Sequence, residues 1–289
     1  MGRAEAAVER TSPEALFALS GITQYTGAVI AVRLFEDAPP TAVVWLRGLT
    51  AAVILLLVSG WWRQRWTRHD LGRAALFGVV TALMNLFFYL AIDRIPLGKS
   101  VVIEFVGPIA LAAVLTRTVR NSVALVLAAT GVIVLSGVEI DHEPLGLLFI
   151  AAASAMWAGY IVLGRRVAGL NRGTAGLAVS LGVGAVALAP VGAYRSAPLF
   201  TSGHLLGLAA LVGLLSTAIP YGLDQYVMRR IPTRRFALLL ALLPVTAMVV
   251  GLLALDQRPT TVDLIGAALV VSGVIVQERD ELAPAEPPG

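Results

Sequence analysis

The chain has 289 residues, of which 57% are hydrophobic and 14% charged, with no cysteine and a formal charge of +4. Typical soluble domains carry about 25% charged residues, so this chain has too little polar surface to cover a soluble core and reads as an integral membrane protein. Disulfides, thiolate metal sites and cysteine nucleophiles are excluded, and the 22 Lys and Arg residues sit almost wholly in short connectors, which is membrane topology and no nucleic-acid footprint.

Residues 1–13 mix Arg3 and Arg10 with Glu5 and Glu9 and lead into an apolar run without a separate cleavage signal. That run is expected to be a retained span and not a signal peptide. Ten apolar segments follow in order, at about 14–33, 41–60, 72–92, 97–115, 121–138, 145–164, 173–193, 203–226, 233–254 and 261–277. Each is near the ~20 residues that cross about 30 Å of hydrocarbon. Short connectors favour antiparallel neighbours in a compact all-α bundle, and the 28 glycines supply close helix contacts. Residues 1–13 and 278–289 are the tails, and the Pro-rich end from Ala283 is expected not to pack.

Sixteen basic residues lie on the side of the N-terminus and five on the other, with Arg47 inside a span, so both termini are expected in the cytoplasm. The stretch RIPLGKSVVIEFVGP, from Arg94 to Pro108, stands out because it buries an acid, Glu104, in an apolar run four residues before a proline. Proline has no N–H, so the Glu104 carbonyl loses its helical partner and a kink is predicted beside Gly107. Arg94-Ile95-Pro96 with Pro108 returns as Arg230-Ile231-Pro232 with Pro244, 136 residues on, while Glu104 aligns with Leu240. Two five-span halves, 14–138 and 145–277, would then have opposite orientations, because each holds an odd number of spans. Inverted repeats with a site between them near the midplane are characteristic of secondary transporters, and Pro108 and Pro244 are expected to act as hinges.

The polar side chains inside spans are the candidate substrate site. Arg47, Asn85 and Glu104 fall at one depth on three different spans, and Glu104 is the candidate proton-coupling group. A charge at the bilayer centre costs about 2.5–3.5 kcal/mol on insertion scales, so pairing or a watery cavity is expected. An Arg47–Glu104 pair that staples two helices is the structural alternative to a binding site. Thr81, Asn85 and Tyr89 share a helix face; Tyr89 is read either as an interfacial anchor or as pore-lining. Gln24 lies at mid-depth, where its amide needs partners. Trp157 and Tyr160 are read either as substrate-stacking rings or as packing. Thr217, Tyr221 and Gln225 form one face of the eighth span, and Asp224, close to Arg229-Arg230, is read as a local salt bridge or gate element, with a binding role as the alternative. Pro190, Pro220 and Pro244 each free a carbonyl, of Val186, Ser216 and Leu240. Trp61, Trp62 and Trp66 with Arg63 and Arg65 read as an interfacial belt.

Pro96-Leu97-Gly98, Val101, Glu104-Phe105 and Gly107-Pro108 resemble the EamA-type members of the drug/metabolite transporter superfamily. So do Ser216-Thr217-Ala218-Ile219-Pro220-Tyr221 and Pro232-Thr233-Arg234, with Gln24 and Leu34-Phe35 fitting the threonine/homoserine exporter branch. The resemblance spans Ser20 to Gln277 and implies a ten-span exporter of amino acids or related metabolites in a bacterial inner membrane, driven by protons. Three positions depart from that branch: Leu243 stands for a Glu, Asp256-Gln257 for Gly-Glu, and Lys99 for a small or apolar residue.

An enzyme is disfavoured. His69, His142 and His204 form no paired metal motif, and no phosphate-binding glycine loop occurs, so neither metal, cofactor nor ATP is expected. The expected partners are a small-molecule substrate, protons and the lipid bilayer. Exporters of other metabolites or drugs, and a non-transporting membrane subunit, are the alternatives.

Overall fold

A computed structural model describes residues 11, 13–116, 118–136, 143–168, 170, 174–228 and 242–276. Its regular structure among these residues is helical throughout: α1 (Pro13–Leu34), α2 (Pro40–Ser59), α3 (Arg68–Ile92), α4 (Leu97–Glu104), α5 (Val106–Thr116), α6 (Val119–Ser136), α7 (Pro144–Ala168), α8 (Thr174–Gly192), α9 (Ala197–Thr201), α10 (Gly203–Gly213), α11 (Ile219–Met228), α12 (Leu242–Leu255) and α13 (Thr261–Val276). A π-helical turn, Leu214–Ala218, joins α10 to α11. Among the described residues, five stretches are long and apolar enough to cross a membrane: Pro40–Ser59, Arg68–Ile92, Pro144–Gly164, Thr174–Arg195 and Gly203–Leu223. Shorter apolar helices fall at Val119–Gly131, Thr246–Leu255 and Thr261–Gly273.

Local chemistry sets the helix ends. Pro40 opens α2 and Gly60, at φ +62°, closes it in the left-handed conformation. Thr67 and Asp70 exchange hydrogen bonds in a capping box at the start of α3, and Thr260 and Asp263 do the same for α13. The predicted break in the fourth span is present, with α4 ending at Glu104, a turn at Phe105 and α5 starting at Val106. Pro190, by contrast, leaves α8 unbroken. The first half of the ninth span, 233–241, and the partners proposed for Asp224 lie outside the described residues.

Helix packing brings distant parts of the chain together. The α3 helix packs on α7 and α8, α2 on α8 and α10, α6 on α13, α1 on α11 and α12, and α4 on α12. Gly78 permits the α3–α8 crossing, since a Cβ there would run into the Ser180 carbonyl. Buried apolar residues from α1 through α10 and from α12 and α13 form one continuous core. Large apolar side chains also face outward, with Leu57 70% exposed and Leu253 79%. An outward apolar face is what a bilayer-embedded bundle requires. This is a multi-pass membrane protein.

At one end, three contacts tie the halves together. The Leu97 N–H donates to Gln257 Oε1 at 3.1 Å, Arg33 donates to the Ala254 carbonyl at 2.9 Å, and Lys99 pairs with Asp263 at 3.1 Å. The unusual Asp256-Gln257 pair has a use here. Asp256 takes the left-handed conformation, φ +55°, which Asp tolerates better than most residues, and Gln257 caps the start of α4.

Candidate substrate site

The site is built where two proline breaks face the opposite half of the chain. Pro220 has no N–H for the Ser216 carbonyl, and the chain relaxes there into the π-helical turn. Arg47, on α2, supplies the missing donor. Its Nη2 donates to the Ser216 carbonyl at 2.7 Å and its Nε to Thr217 Oγ1 at 2.6 Å. Arg47 is 4% exposed, and its guanidinium lies 4.9 Å from the centre of the Tyr89 ring, a cation–π contact strengthened by burial. No carboxylate among the described residues comes within 4.0 Å of it.

The Pro108 break is closed in the same manner from the other direction. Ser154, on α7, donates its hydroxyl to the freed Glu104 carbonyl at 2.8 Å and accepts from the Gly107 N–H at 2.7 Å. Gly107 has to be glycine, because a Cβ would strike the Ser154 carbonyl. Glu104 is a half-buried residue, and its carboxyl group makes no hydrogen bond or ion pair with a described residue. Arg47 and Glu104 are therefore not a stapled pair.

Asn85 bridges the halves. Its amide nitrogen lies 2.8 Å from the Thr81 carbonyl and 3.3 Å from the Tyr221 hydroxyl. Tyr221 in turn lies 6.0 Å, ring to ring, from Tyr160, which packs at 5.0 Å on Phe77. Arg47, Thr81, Asn85 and Thr217 line a narrow crevice together with Gly48 and Gly184, with about 20 Å³ of free room. That volume suits about one water molecule, so a larger ligand requires the walls to part.

The remaining candidates are distributed around this centre. Tyr89 is 1% exposed, so it is a core ring beneath Arg47 and no interfacial anchor; its hydroxyl has no hydrogen-bond partner among the described residues. Trp157 packs edge-on against Phe105 at 4.8 Å. Gln24 gives its carbonyl to the Ser216 hydroxyl at 3.2 Å, and its side chain makes no hydrogen bond to a described residue. Pro244 lies in the first turn of α12, and the segment before it is outside the described residues. Ser154 and the Ser216 carbonyl as the anchor of Arg47 were not singled out from sequence. The prolines four residues beyond Glu104 and Ser216 were the available signal, but they announce only that a donor is needed.

The EamA-like transporter family model matches residues 12–139 and again 144–277. The chain belongs to the EamA-like transporter family. Its EamA-like sequence is 32% identical over 260 residues to the threonine/homoserine exporter RhtA of Salmonella typhimurium (strain LT2), covering 89% of this chain and 87% of that protein. It is also 32% identical over 249 residues to RhtA of Escherichia coli (strain K12), covering 85% and 84%. The Bacillus subtilis (strain 168) transporter YyaM is 23% identical over 281 residues, covering 89% and 91%. A solved structure titled "Crystal structure of protein" shares the fold, with a TM-score of 0.62 at 18% identity over 91% of this chain and 96% of that one. The RhtA and YyaM relatives are transporters and not enzymes.

Proposed function

We propose that this chain is an exporter of amino acids, with threonine and homoserine as the first substrates to test, working in the inner membrane by proton-coupled alternating access. The observation that carries the substrate class is Arg47: a buried guanidinium at the crevice, held by neutral oxygens and facing no described carboxylate. Burying an unpaired charge is costly, and a guanidinium fork suits a substrate carboxylate. Glu104, which makes no hydrogen bond or ion pair with a described residue, receives the substrate ammonium, or a proton when the site is empty. The RhtA relatives export threonine and homoserine, zwitterions that need both partners.

Ten spans in two inverted five-helix repeats, 14–138 and 145–277, are part of the same proposal. The 136-residue offset of the sequence repeat supports it, because the packing is reciprocal under that offset. The α3–α7 contact corresponds to α11–α1, and α3–α8 to α10–α2, while α2–α8 and α6–α13 join equivalent segments. Asn85 and Tyr221 are 136 residues apart and touch, and the crevice is lined by Thr81 with Thr217 and Gly48 with Gly184 at the same spacing. Equivalent residues meet only near a twofold axis, so this reading sets the crevice on the axis between the halves, where secondary transporters bind substrate.

The test is uptake and efflux of labelled L-threonine by proteoliposomes, with and without a pH gradient. Gradient-stimulated transport that fails in Arg47→Gln is expected. Threonine transport by Arg47→Gln at the parent KM would remove Arg47 from the site and favour exporters of uncharged metabolites or drugs.

A further inference from the structure

The two oxygens on Arg47 have a geometry that goes beyond anchoring. Nε and Nη2 lie along one edge of the guanidinium, and that edge grips both oxygens of a carboxylate in a bidentate pair. Here the same edge is filled by Thr217 Oγ1 at 2.6 Å and the Ser216 carbonyl at 2.7 Å. Both belong to the other half of the chain, and both are nearly fully buried, at 2% and 1% exposure. The Ser216 carbonyl is available only because Pro220, four residues on, has no N–H to offer it. The turn that carries both groups is π-helical, a form that recurs at functional sites.

We infer that Thr217 and the Ser216 carbonyl are an internal stand-in for the substrate carboxylate, occupying Arg47 when the site is empty and yielding it when substrate binds. The inference rests on Arg47 as the carboxylate receptor and adds what binding displaces. The stand-in keeps the buried cation hydrogen-bonded between transport cycles. Displacement leaves the Ser216 carbonyl without its donor, so the Leu214–Ala218 turn loses its tie to α2. Substrate binding on one half is thereby converted into release of the eighth span on the other. Thr217 and Pro220 act in this scheme as positioning residues: they set affinity against turnover without contributing the binding charge.

Removing the competitor should strengthen substrate binding while slowing transport. In proteoliposomes holding the full chain, with labelled L-threonine as probe, Thr217→Val is expected to lower KM by about tenfold or more, the scale of one hydrogen bond to a charged group, and to lower the maximal rate. Pro220→Ala, which restores a helical donor to Ser216, should shift both quantities in the same direction. Thr217→Ser keeps the acceptor oxygen and is expected to rescue the parent values. A parent or raised KM in Thr217→Val, with a normally folded protein by gel filtration, overturns the inference. Arg47→Gln separates the two levels. If it keeps the parent KM, the carboxylate reading itself fails; if it loses threonine while Thr217→Val keeps the parent KM, only the stand-in fails.

Discussion

Ser154 does at the Pro108 break what Arg47 does at the Pro220 break: each closes a gap in a helix of the other half. A buried backbone group without a partner costs about 1–3 kcal/mol. Ser154→Ala removes a donor and an acceptor together and is expected to lower the melting temperature of the purified protein by several degrees and to slow threonine transport. Ser154→Thr, keeping the hydroxyl, should recover part of both. An unchanged melting temperature in Ser154→Ala would mean that water or a shifted backbone satisfies the gap. Arg47 and Asn85, which line the crevice, were legible in the sequence because they are polar in apolar runs, whereas Glu104, also polar in an apolar run, is not among the residues that line it. Their partners were not, since Ser216 and Thr217 lie 169 and 170 residues from Arg47, and nothing local encodes such a contact. Tyr89 is the instructive case. Its place near a span end matched an interfacial anchor, and only packing against Phe35, 5.9 Å away, and Arg47 decides otherwise.

At the scale of the element, one proline is not like another. Pro108 divides its span into α4 and α5, Pro220 follows a π-helical turn, and Pro190 sits in a continuous helix two residues from its end. The first two breaks have side-chain donors from across the interface, so the chain can open there without leaving carbonyls bare. Sequence chemistry identified the freed carbonyls, but whether a helix yields depends on neighbours that the sequence does not name. If the break at Phe105 is a hinge, Pro108→Ala should straighten it by restoring an N–H to the Glu104 carbonyl, in competition with Ser154. Slower threonine transport at normal expression is the expected outcome. Parent rates in Pro108→Ala would show that the half-helices do not move against one another. Lys99 illustrates the reverse limit: it looked like a foreign charge near the start of the fourth span, and its partner Asp263 is the capping acid of α13.

For the whole molecule, the repeat was the most informative sequence signal. An offset read from two tripeptides and two prolines also relates Asn85 to Tyr221, which touch, and parallels the two segments matched by the family model. Counting spans was less direct. Among the described residues five stretches are long and apolar enough to cross unaided, beside shorter apolar helices, and window hydropathy does not register a break such as the one at Phe105. The central claim is that Glu104 couples protons to amino-acid movement across a crevice closed around Arg47. Glu104→Gln keeps the shape and removes the titrating group, so the decisive measurement is labelled threonine efflux from proteoliposomes holding that variant, with and without an imposed pH gradient. The expected result is loss of gradient-driven efflux with some threonine exchange retained; full gradient-driven efflux in Glu104→Gln would contradict the account.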